Sequence, residues 1–282
     1  EWANRDRFIL SAGHGSMLLY SLLYLLGYPK ISLEDIKNFR KLKSPTAGHP
    51  EFNELPGIET TTGPLGQGLG NGLGMALSEK ILRARHGSEF FNHYTYILAG
   101  DGCLMEGISH EFASLAGHLG LENLILIYDD NKISIDGPTS ITMSDNTLDR
   151  FKALGWDTNI VNGYDFSQID NAITKAKTSN KPSLISCETI IGFGSPNKQN
   201  TEGCHGSPLG EDEIKKAKTK MNWNYDKFEI PSDILKSWRE VGRKDKAAYD
   251  NWNKIFASKI TQLKLDNDEL ETKLSSVRKE CS

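Results

Sequence analysis

Two polar side chains, a carboxylate and a carboxamide, directly follow two apolar runs of the kind that form buried strands. Asp101 lies within Gly-Asp-Gly after the run from Tyr94 to Ala99. Asn131 closes Asp-Asp-Asn after the run from Leu124 to Tyr128. Both side chains offer hard oxygen donors suited to Mg²⁺ or Ca²⁺, and two protein ligands leave coordination positions for phosphate oxygens. The pair therefore predicts a cation that anchors a diphosphate group.

Each half of this pattern also has an ordinary structural interpretation. Gly-Asp-Gly is a common turn, because Gly100 and Gly102 tolerate tight backbone conformations. Asp-Asp-Asn after a strand is often a helix cap or a turn. Taken singly, each motif indicates a turn more often than a metal site, and only their occurrence together in one strand–helix–strand unit favours the cation.

Three of the seven histidines, His14, His49 and His205, lie in glycine-bearing loops. Imidazole can hydrogen-bond sugar hydroxyls or phosphate oxygens and exchanges protons near neutral pH. A single loop histidine is more often a surface residue, but each of these three lies in a loop whose sequence, SAGHGS, AGHPE or CHGSPLG, resembles a known active-site motif. We therefore treat them as candidate catalytic groups.

The other candidate ionisable groups have stronger structural interpretations. His86 and His93 lie in polar sequence and are predicted to be exposed or structural, and His118 fits a helix end. Glu106 and Glu111 stand at the start of the helix after Gly-Asp-Gly, where acidic residues complement the helix dipole. A catalytic role for these two acids is the alternative interpretation.

Strand and helix patterns alternate along most of the chain and predict the elements that position these residues. Short apolar runs predict strands at Phe8–Ser11, 94–99, 124–128, Thr158–Val161 and 183–190. Periodic apolar residues predict helices at Met17–Leu26, 106–119 and 166–178, and a helical region from Glu211 onward. This alternation predicts an α/β fold with a doubly wound, mostly parallel sheet flanked by helices and a helical C-terminal tail.

Two helices are predicted to present an apolar face each. One carries Leu69, Leu73, Leu77 and Ile81 at intervals of four residues, and the other carries Ile108, Phe112, Leu115 and Leu119. Five glycines between residues 66 and 74 weaken the first helix, by up to about 1 kcal/mol per interior site. We therefore expect the backbone of this helix to lie close to a ligand or a partner helix.

Composition excludes several classes of partner. The net charge is -4 with no basic stripe, and no apolar run is long enough to span a bilayer, so neither nucleic acid nor membrane is expected. The four cysteines are widely scattered, which favours a reducing cytoplasm over a disulfide framework or a zinc site. The first residues lack a signal-peptide core and are unlike a natural N-terminus.

Seven longer motifs resemble those of the transketolase family in order and approximate spacing. They are SAGHGS, AGHPE, ETTTGPLGQG, GDGCLMEGISHE, YDDNKISIDG, KPSLISCETIIGFGSPN and CHGSPLG. The resemblance is to the N-terminal, diphosphate-binding domain of that family and covers nearly the whole chain. It implies such a domain over residues 1–265, lacking its usual start, and a tail over 266–282 leading to an absent pyrimidine-binding domain.

The resemblance also implies roles for individual residues. Asp101 and Asn131 would ligate the cation by side chain and Ile133 by its backbone carbonyl. Gly102 would contact the diphosphate of thiamine diphosphate, and Gly63 and Leu65 would lie along its rings.

Further implied roles concern ionisable side chains. His14 and His205 would contact cofactor, and with His49 they would handle substrate hydroxyls and proton transfer. Glu106 and Glu111 would approach a subunit interface and couple two sites. One departure from the family is visible: transketolases often carry histidine where this chain has Glu202.

The activity implied is transfer of a two-carbon ketol unit between ketose and aldose phosphates, as in the pentose phosphate pathway, with thiamine diphosphate and Mg²⁺ (or Ca²⁺). A homodimer is implied, and the activating glutamate would come from a pyrimidine-binding domain on another chain or in a missing segment. Two alternatives remain open. The chain could be a non-catalytic module that binds thiamine diphosphate or a partner, or it could belong to another thiamine enzyme such as a dihydroxyacetone synthase.

Overall fold

A five-stranded, wholly parallel sheet forms the centre of the protein, as seen in a computed structural model that describes residues 2–262 and 267–280. Its strands are β1 (Arg7–Leu10), β2 (Thr95–Gly100), β3 (Leu124–Asp130), β6 (Asp157–Asn162) and β7 (Ser183–Glu188). They lie in the order β1-β2-β3-β7-β6. Two short strands, β4 (Ile133–Ser134) and β5 (Gly137–Pro138), pair antiparallel beyond the end of β3. The predicted α/β fold with a doubly wound sheet is confirmed.

Helices cover both faces of this sheet because neighbouring residues of each strand point to opposite sides. On one side Ile97, Leu126 and Leu184 pack with Leu69 and Phe112. On the other, Leu10 packs with the first helix, and Ile125 and Ile185 pack with the helix between β6 and β7. The first seven helices are α1 (Ser16–Leu26), α2 (Leu33–Lys37), α3 (Gln67–His86), α4 (Asp101–Met105), α5 (Gly107–Leu119), α6 (Thr147–Ala153) and α7 (Phe166–Ala176).

The C-terminal part of the chain is helical, as expected. It comprises α8 (Glu211–Lys220), α9 (Ser232–Val241), α10 (Lys246–Gln262) and α11 (Asn267–Glu280). The predicted boundary between residues 265 and 266 lies outside the described residues. Across the part of the chain that is described, no helix combines the length and the apolar character needed to cross a bilayer.

The predicted apolar faces of α3 and α5 are only partly correct. Leu69 is buried, but Ile81 is 41% exposed, and on α5 Ile108 and Leu115 are 46% and 43% exposed. A spacing of four residues drifts by about 40° per step at 3.6 residues per turn, so three steps turn a residue about 120° away from the first. The buried stripe of α3 therefore runs through Gly72 and Ala76 to Leu82 rather than along the leucines.

Two glycines of α3 allow a contact that the sequence predicted only in part. A Cβ atom on Gly68 would lie 2.6 Å from Ser11 Cα, and one on Gly72 would lie 2.3 Å from Ile97 Cδ1. The helix backbone is thus close to a neighbour, as expected, but that neighbour is the sheet and not a ligand or a helix. Gly70 and Gly74, by contrast, have no atom within 4 Å of such a Cβ.

Gly68→Ala is expected to destabilise the fold by about 1–3 kcal/mol, the usual cost of overpacking. The matched change Gly70→Ala should stabilise it by about 0.5–1 kcal/mol, because alanine favours the helix and its Cβ meets no neighbour. Urea denaturation of the two variants measures both effects. Losses of equal size would show that the close approach of α3 to the strand β1 does not limit packing.

Candidate active site

A cavity of about 710 Å³ opens at the carboxyl edge of the sheet. Its walls are the residues that follow β1, β2 and β3, together with the segment around Gly63 and the loop carrying His205. Carboxyl ends of parallel strands meet at one edge, which is where open α/β sheets place their ligands. Asp101 and Asn131, thirty residues apart in sequence, consequently line one cavity.

Asp101, the first residue of α4, carries an unsatisfied carboxylate oxygen. The side chain is 3% exposed, and the Tyr128 hydroxyl donates to its Oδ1 at 2.5 Å. Its Oδ2 is buried and has no hydrogen-bond partner. Burial raises the pKa of Asp101, while the bond from Tyr128 opposes that rise. A buried oxygen without a donor costs free energy, which a cation would relieve.

Asn131 is held at the cavity wall by its own turn. The next residue, Lys132, has φ of 62°, and the backbone N–H of Ile133 donates to Asn131 Oδ1 at 3.0 Å. Both Asn131 and Ile133 line the cavity. An amide oxygen has a second lone pair, so Oδ1 keeps capacity for another partner.

These donors fit a hard, oxygen-seeking cation better than zinc. Within residues 2–262 and 267–280, no three His, Cys, Asp or Glu side chains are grouped so as to hold a metal ion. The oxygen atoms at the cavity come instead from one carboxylate, one amide and the backbone nearby. Such a set suits Mg²⁺ or Ca²⁺, which keep water or phosphate oxygens as further ligands.

Two glycines, Gly63 and Gly102, present backbone to the cavity at positions where a Cβ atom would crowd a neighbouring side chain. Gly63 has φ of 151°, and a Cβ on it would lie 3.2 Å from the His49 ring. A Cβ on Gly102 would lie 3.0 Å from Leu65 Cδ1. The Thr62 hydroxyl donates to the Leu10 carbonyl at 2.8 Å and fixes this segment beside the end of β1. The structure thus places Gly63, Leu65 and Gly102 at the cavity, where the sequence predicted cofactor contacts.

The three loop histidines come together. The rings of His14 and His205 stack with centroids 4.9 Å apart, and both residues line the cavity. His49 lies behind Gly63 and close enough to His14 to affect its pKa, but it is not among the residues that line the cavity. Its loop is tied to α1, because Ser16 Oγ donates to the Gly48 carbonyl at 2.9 Å and Tyr20 to the Ala47 carbonyl at 3.0 Å.

Two of these histidines, His14 and His205, favour the neutral imidazole. Partial burial lowers the pKa of His14, and the neighbouring His205 and His49 lower it further. Burial also lowers the pKa of His205, and its Nδ1 is buried without a hydrogen-bond partner. Neutral rings can accept or donate a proton near pH 7, which suits both ligand binding and acid–base work.

Glu106 and Glu111 lie apart from this cluster. Both are exposed, and neither lines the cavity. Glu106 lies against the N-terminal end of α3. A Cβ atom added to Gly66 there would lie 3.0 Å from the Cβ atom of Glu106. Glu106 is the N-cap residue of α5, whereas Glu111 lies beyond the first turn, which holds no acidic residue. The helix-start interpretation therefore fits Glu106 only, and neither acid reaches the candidate site.

The predictions for the other histidines are partly confirmed. His86 is exposed and His118 lies in the last turn of α5, as expected. The exposed surroundings expected for His93 are wrong, because it is only 4% exposed. Its polar sequence neighbours hid this, since Arg7 packs nearby from a distant part of the chain. Burial leaves the structural interpretation of this histidine in place.

Sequence reasoning overlooked two residues of the site. Tyr128 positions Asp101, and Asp129 is a further acid that lines the cavity. Asp129 is the first residue of the Asp-Asp-Asn motif and Tyr128 immediately precedes it. Their opposite directions follow from their positions in β3, which the motif alone does not give. Tyr128 points to Asp101, and Asp129 lines the cavity, where Thr189 Oγ1 donates to it. Alternation along β3 was the available signal.

A parallel sheet with an unsatisfied carboxylate, an amide turn and glycine backbone at its carboxyl edge defines an α/β cofactor-binding domain. The chain belongs to the transketolase family: the family model described as transketolase, thiamine diphosphate binding domain, matches residues 1–278. The resemblance seen in the motifs is therefore confirmed.

Curated relatives agree with this assignment. The chain is 56% identical over 262 residues to Transketolase 1 of Aliivibrio fischeri, covering 91% of this chain and 39% of the relative. It is 51% identical over 281 residues to Transketolase 1 of Vibrio parahaemolyticus, covering 98% of this chain and 42% of the relative. The chain thus spans about two fifths of the length of these relatives.

Solved structures share the fold. A transketolase from Pichia stipitis in complex with sedoheptulose-7-phosphate superposes with a TM-score of 0.92 at 45% identity, covering 97% of this chain and 41% of that one. The transketolase of Campylobacter jejuni gives a TM-score of 0.89 at 42% identity, covering 97% of this chain and 42% of that one.

Proposed function

We propose that this chain supplies the cation and diphosphate half of a transketolase active site. The complete protein would transfer a two-carbon ketol unit from a ketose phosphate to an aldose phosphate. The observation that carries the proposal is the buried, unpartnered Oδ2 of Asp101 in a cavity shared with Asn131, His14 and His205. When bound, thiamine diphosphate would supply the carbon nucleophile and the electron sink for breaking the C–C bond.

The residues that line the cavity would bind the cation, the diphosphate and the rings of the cofactor. Asp101 and Asn131 would hold Mg²⁺ or Ca²⁺ by their side-chain oxygens and Ile133 by its carbonyl. Tyr128 keeps Asp101 in place by donating to Oδ1. Gly102 would let the diphosphate approach the backbone, and the flat glycine surface at Gly63 would admit the rings.

The histidines would act on the sugar. Neutral His14 and His205 can donate to or accept from substrate hydroxyls, and His49 lies on the side of Gly63. Their placement around one opening would let them exchange protons with hydroxyl and carbonyl oxygens of the sugar. Glu202, which also lines the cavity, would bring a negative charge close to bound phosphate.

The full activity would need parts beyond this chain. A pyrimidine-binding domain, on another chain or another segment, would supply the activating glutamate. A homodimer is supported by exposed apolar residues on the adjacent helices α3 and α5, Ile81, Ile108 and Leu115. In such a dimer, Glu106 and Glu111 would lie close to the interface and could couple two sites. A cytoplasmic location is supported by the free thiols of Cys103, Cys187 and Cys204.

Reconstitution tests the proposal. The chain is co-expressed with the complementary C-terminal part of the Aliivibrio fischeri relative, and consumption of xylulose 5-phosphate with an aldose phosphate acceptor is followed with thiamine diphosphate and Mg²⁺. Cofactor- and metal-dependent ketol transfer is expected. A well-folded complex that binds thiamine diphosphate without any turnover would instead favour a non-catalytic module.

His14→Ala and His205→Ala are expected to reduce turnover of that reconstituted enzyme by about 10²–10⁴ each, the usual loss on removing a placed acid–base group. Melting temperatures should stay within a degree or two, since both residues face a cavity rather than the core. His86→Ala, on the exposed end of α3, is the matched control and should be silent in both assays. Equal effects of all three substitutions on melting temperature, with turnover falling in proportion, would show that the histidines contribute packing only.

A further inference from the structure

A second cavity, of about 300 Å³, lies beside α3 and shares no lining residue with the first. Its walls come from the start of β1, the segment before α3, the middle of α3 and the loop before β2. The polar and apolar side chains that matter are Arg7, Glu59, Asn71, Met75, Glu79 and His93. It opens at Gly74 and Ser78, both of which are exposed.

Glu79 is the unusual group in this cavity. It is 1% exposed, and neither of its carboxylate oxygens has a hydrogen-bond partner of good geometry, although the Asn123 amide faces the carboxylate. Arg83 Nε lies 3.3 Å from Oε1 without hydrogen-bond geometry, and the Asn123 amide donates to the His93 carbonyl at 3.1 Å. A buried carboxylate with unfilled acceptor positions is costly, so an N–H donor entering from the cavity would be stabilising.

His93 adds a second acceptor. It is 4% exposed, and its Nδ1 has no hydrogen-bond partner. Burial, reinforced by the charges of Arg7 and Arg5, lowers the pKa of His93 to about 3. The ring is therefore neutral at physiological pH, and it can accept a hydrogen bond at one nitrogen.

The other charges around the cavity are already engaged. Arg5 binds Glu59 through Nη1 and Nη2, and Arg7 Nε lies 3.9 Å from the same carboxylate. Lys80 and Arg83 both bind Glu122. Arg83 pairs with both Glu79 and Glu122. Glu79 is therefore the carboxylate at this cavity whose oxygens can still accept hydrogen bonds.

We propose that this cavity binds one organic cation bearing N–H donors, a guanidinium or primary ammonium group, with Glu79 as its counter-ion and His93 as a second acceptor. The volume corresponds to about ten waters at 30 Å³ each, enough for such a group on a short stem. A zinc-type metal ion is a poorer fit, because no cluster of three His, Cys, Asp or Glu side chains suited to one occurs among the described residues. The site is independent of the proposed transferase function.

Binding should depend on pH in a defined direction. Burial raises the pKa of Glu79 to about 7, and the charge of Glu122 adds to this rise. Arg83, the Asn123 amide and Lys80 oppose it. On the cavity side the facing groups are neutral His93 and the Arg7–Glu59 pair. Because only ionised Glu79 neutralises the cation, affinity should rise as pH increases through 7, by about tenfold between pH 6 and pH 8 for a single group.

Calorimetric titration of the full chain with methylguanidinium chloride, against NaCl of equal ionic strength, tests the site. We expect saturable binding at pH 8 that weakens about tenfold at pH 6. Glu79→Gln should weaken binding at pH 8 at least tenfold and remove its pH dependence. Glu34→Gln, an exposed change of the same charge on α2, is the matched control and should bind as the unchanged chain does.

A second variant and a second probe complete the test. Ser78→Trp should close the entrance and abolish binding with Glu79 intact, and histidine NMR signals of His93, but not of His14, should shift on titration. If acetyl-Gly-Arg-Gly-amide binds more tightly than methylguanidinium, the cation is an arginine side chain of a peptide. If the two probes bind equally, it is a free small molecule. Either result supports the site. No saturable binding of either probe, or binding unchanged in Glu79→Gln, would overturn it.

Discussion

Asp101→Asn is expected to weaken Mg²⁺-dependent binding of thiamine diphosphate by at least about 100-fold, since loss of a supporting group alone commonly costs 10–100-fold in metal affinity. The substitution keeps the shape of the side chain and the acceptor for the Tyr128 hydroxyl, but it removes the charge on the buried, unpartnered Oδ2. We therefore expect the fold to be retained. A buried carboxylate without a cation is costly, so the metal-free variant should melt no lower than the unchanged chain.

Titration calorimetry in Mg²⁺, with and without chelator, measures this effect. Asp170→Asn, an exposed change of the same kind on α7, serves as the control and should leave affinity unaltered. Unchanged cofactor affinity in Asp101→Asn, or binding that is insensitive to chelator, would remove Asp101 from the cation site.

The second large effect is a slow rate of cofactor activation when this chain is studied without the complementary segment. The chain spans 39% of the Aliivibrio fischeri relative, and the proposed activating glutamate lies outside it. Loss of a placed acid–base group costs about 10²–10⁴ in rate. Deuterium exchange at C2 of bound thiamine diphosphate, followed by NMR, should accordingly be slow in this chain and should increase by that factor when the complementary segment is added.

Fast exchange in the chain alone would contradict this expectation. Glu106 and Glu111 would then be the first residues to test by substitution with glutamine. Their exposed positions outside the cavity make that outcome unexpected in a single copy, although a second copy could bring them to its site.

The fold was largely predictable because the information lies in local patterns. Most strands of the sheet are apolar runs ended by turn residues, and the bounds of the predicted strands differ from the structure by only one or two residues. The short helices α2, α4 and α6 were not predicted, and β6 is largely polar in sequence. The errors arose where burial depends on neighbours distant in sequence. Ile108 and Leu115 were placed in the core by periodicity, whereas α5 buries Ser109, Ala113 and Ala116 instead.

The candidate site was predictable in its loops but not in its internal contacts. Motifs identified Asp101, Asn131 and the three histidines, and all of these except His49 line the cavity at the carboxyl edge, where the rule for parallel sheets places ligands. They could not show that Tyr128 holds Asp101, because this depends on which face of β3 a residue occupies. Nor could they show the buried state of His93 or Glu79, since their surroundings come from β1, the segment before α3 and the loop before β2.

The position of the bound cation is the most direct test of the central claim. Crystals of the chain grown with thiamine diphosphate and Mn²⁺ in place of Mg²⁺ should give one anomalous peak at the carboxyl edge of the sheet. The peak should lie within about 2.5 Å of Asp101 Oδ2 and of the Asn131 amide oxygen, with the diphosphate on its open side. A bound diphosphate whose cation lies away from Asp101, or that has no cation, would contradict the account.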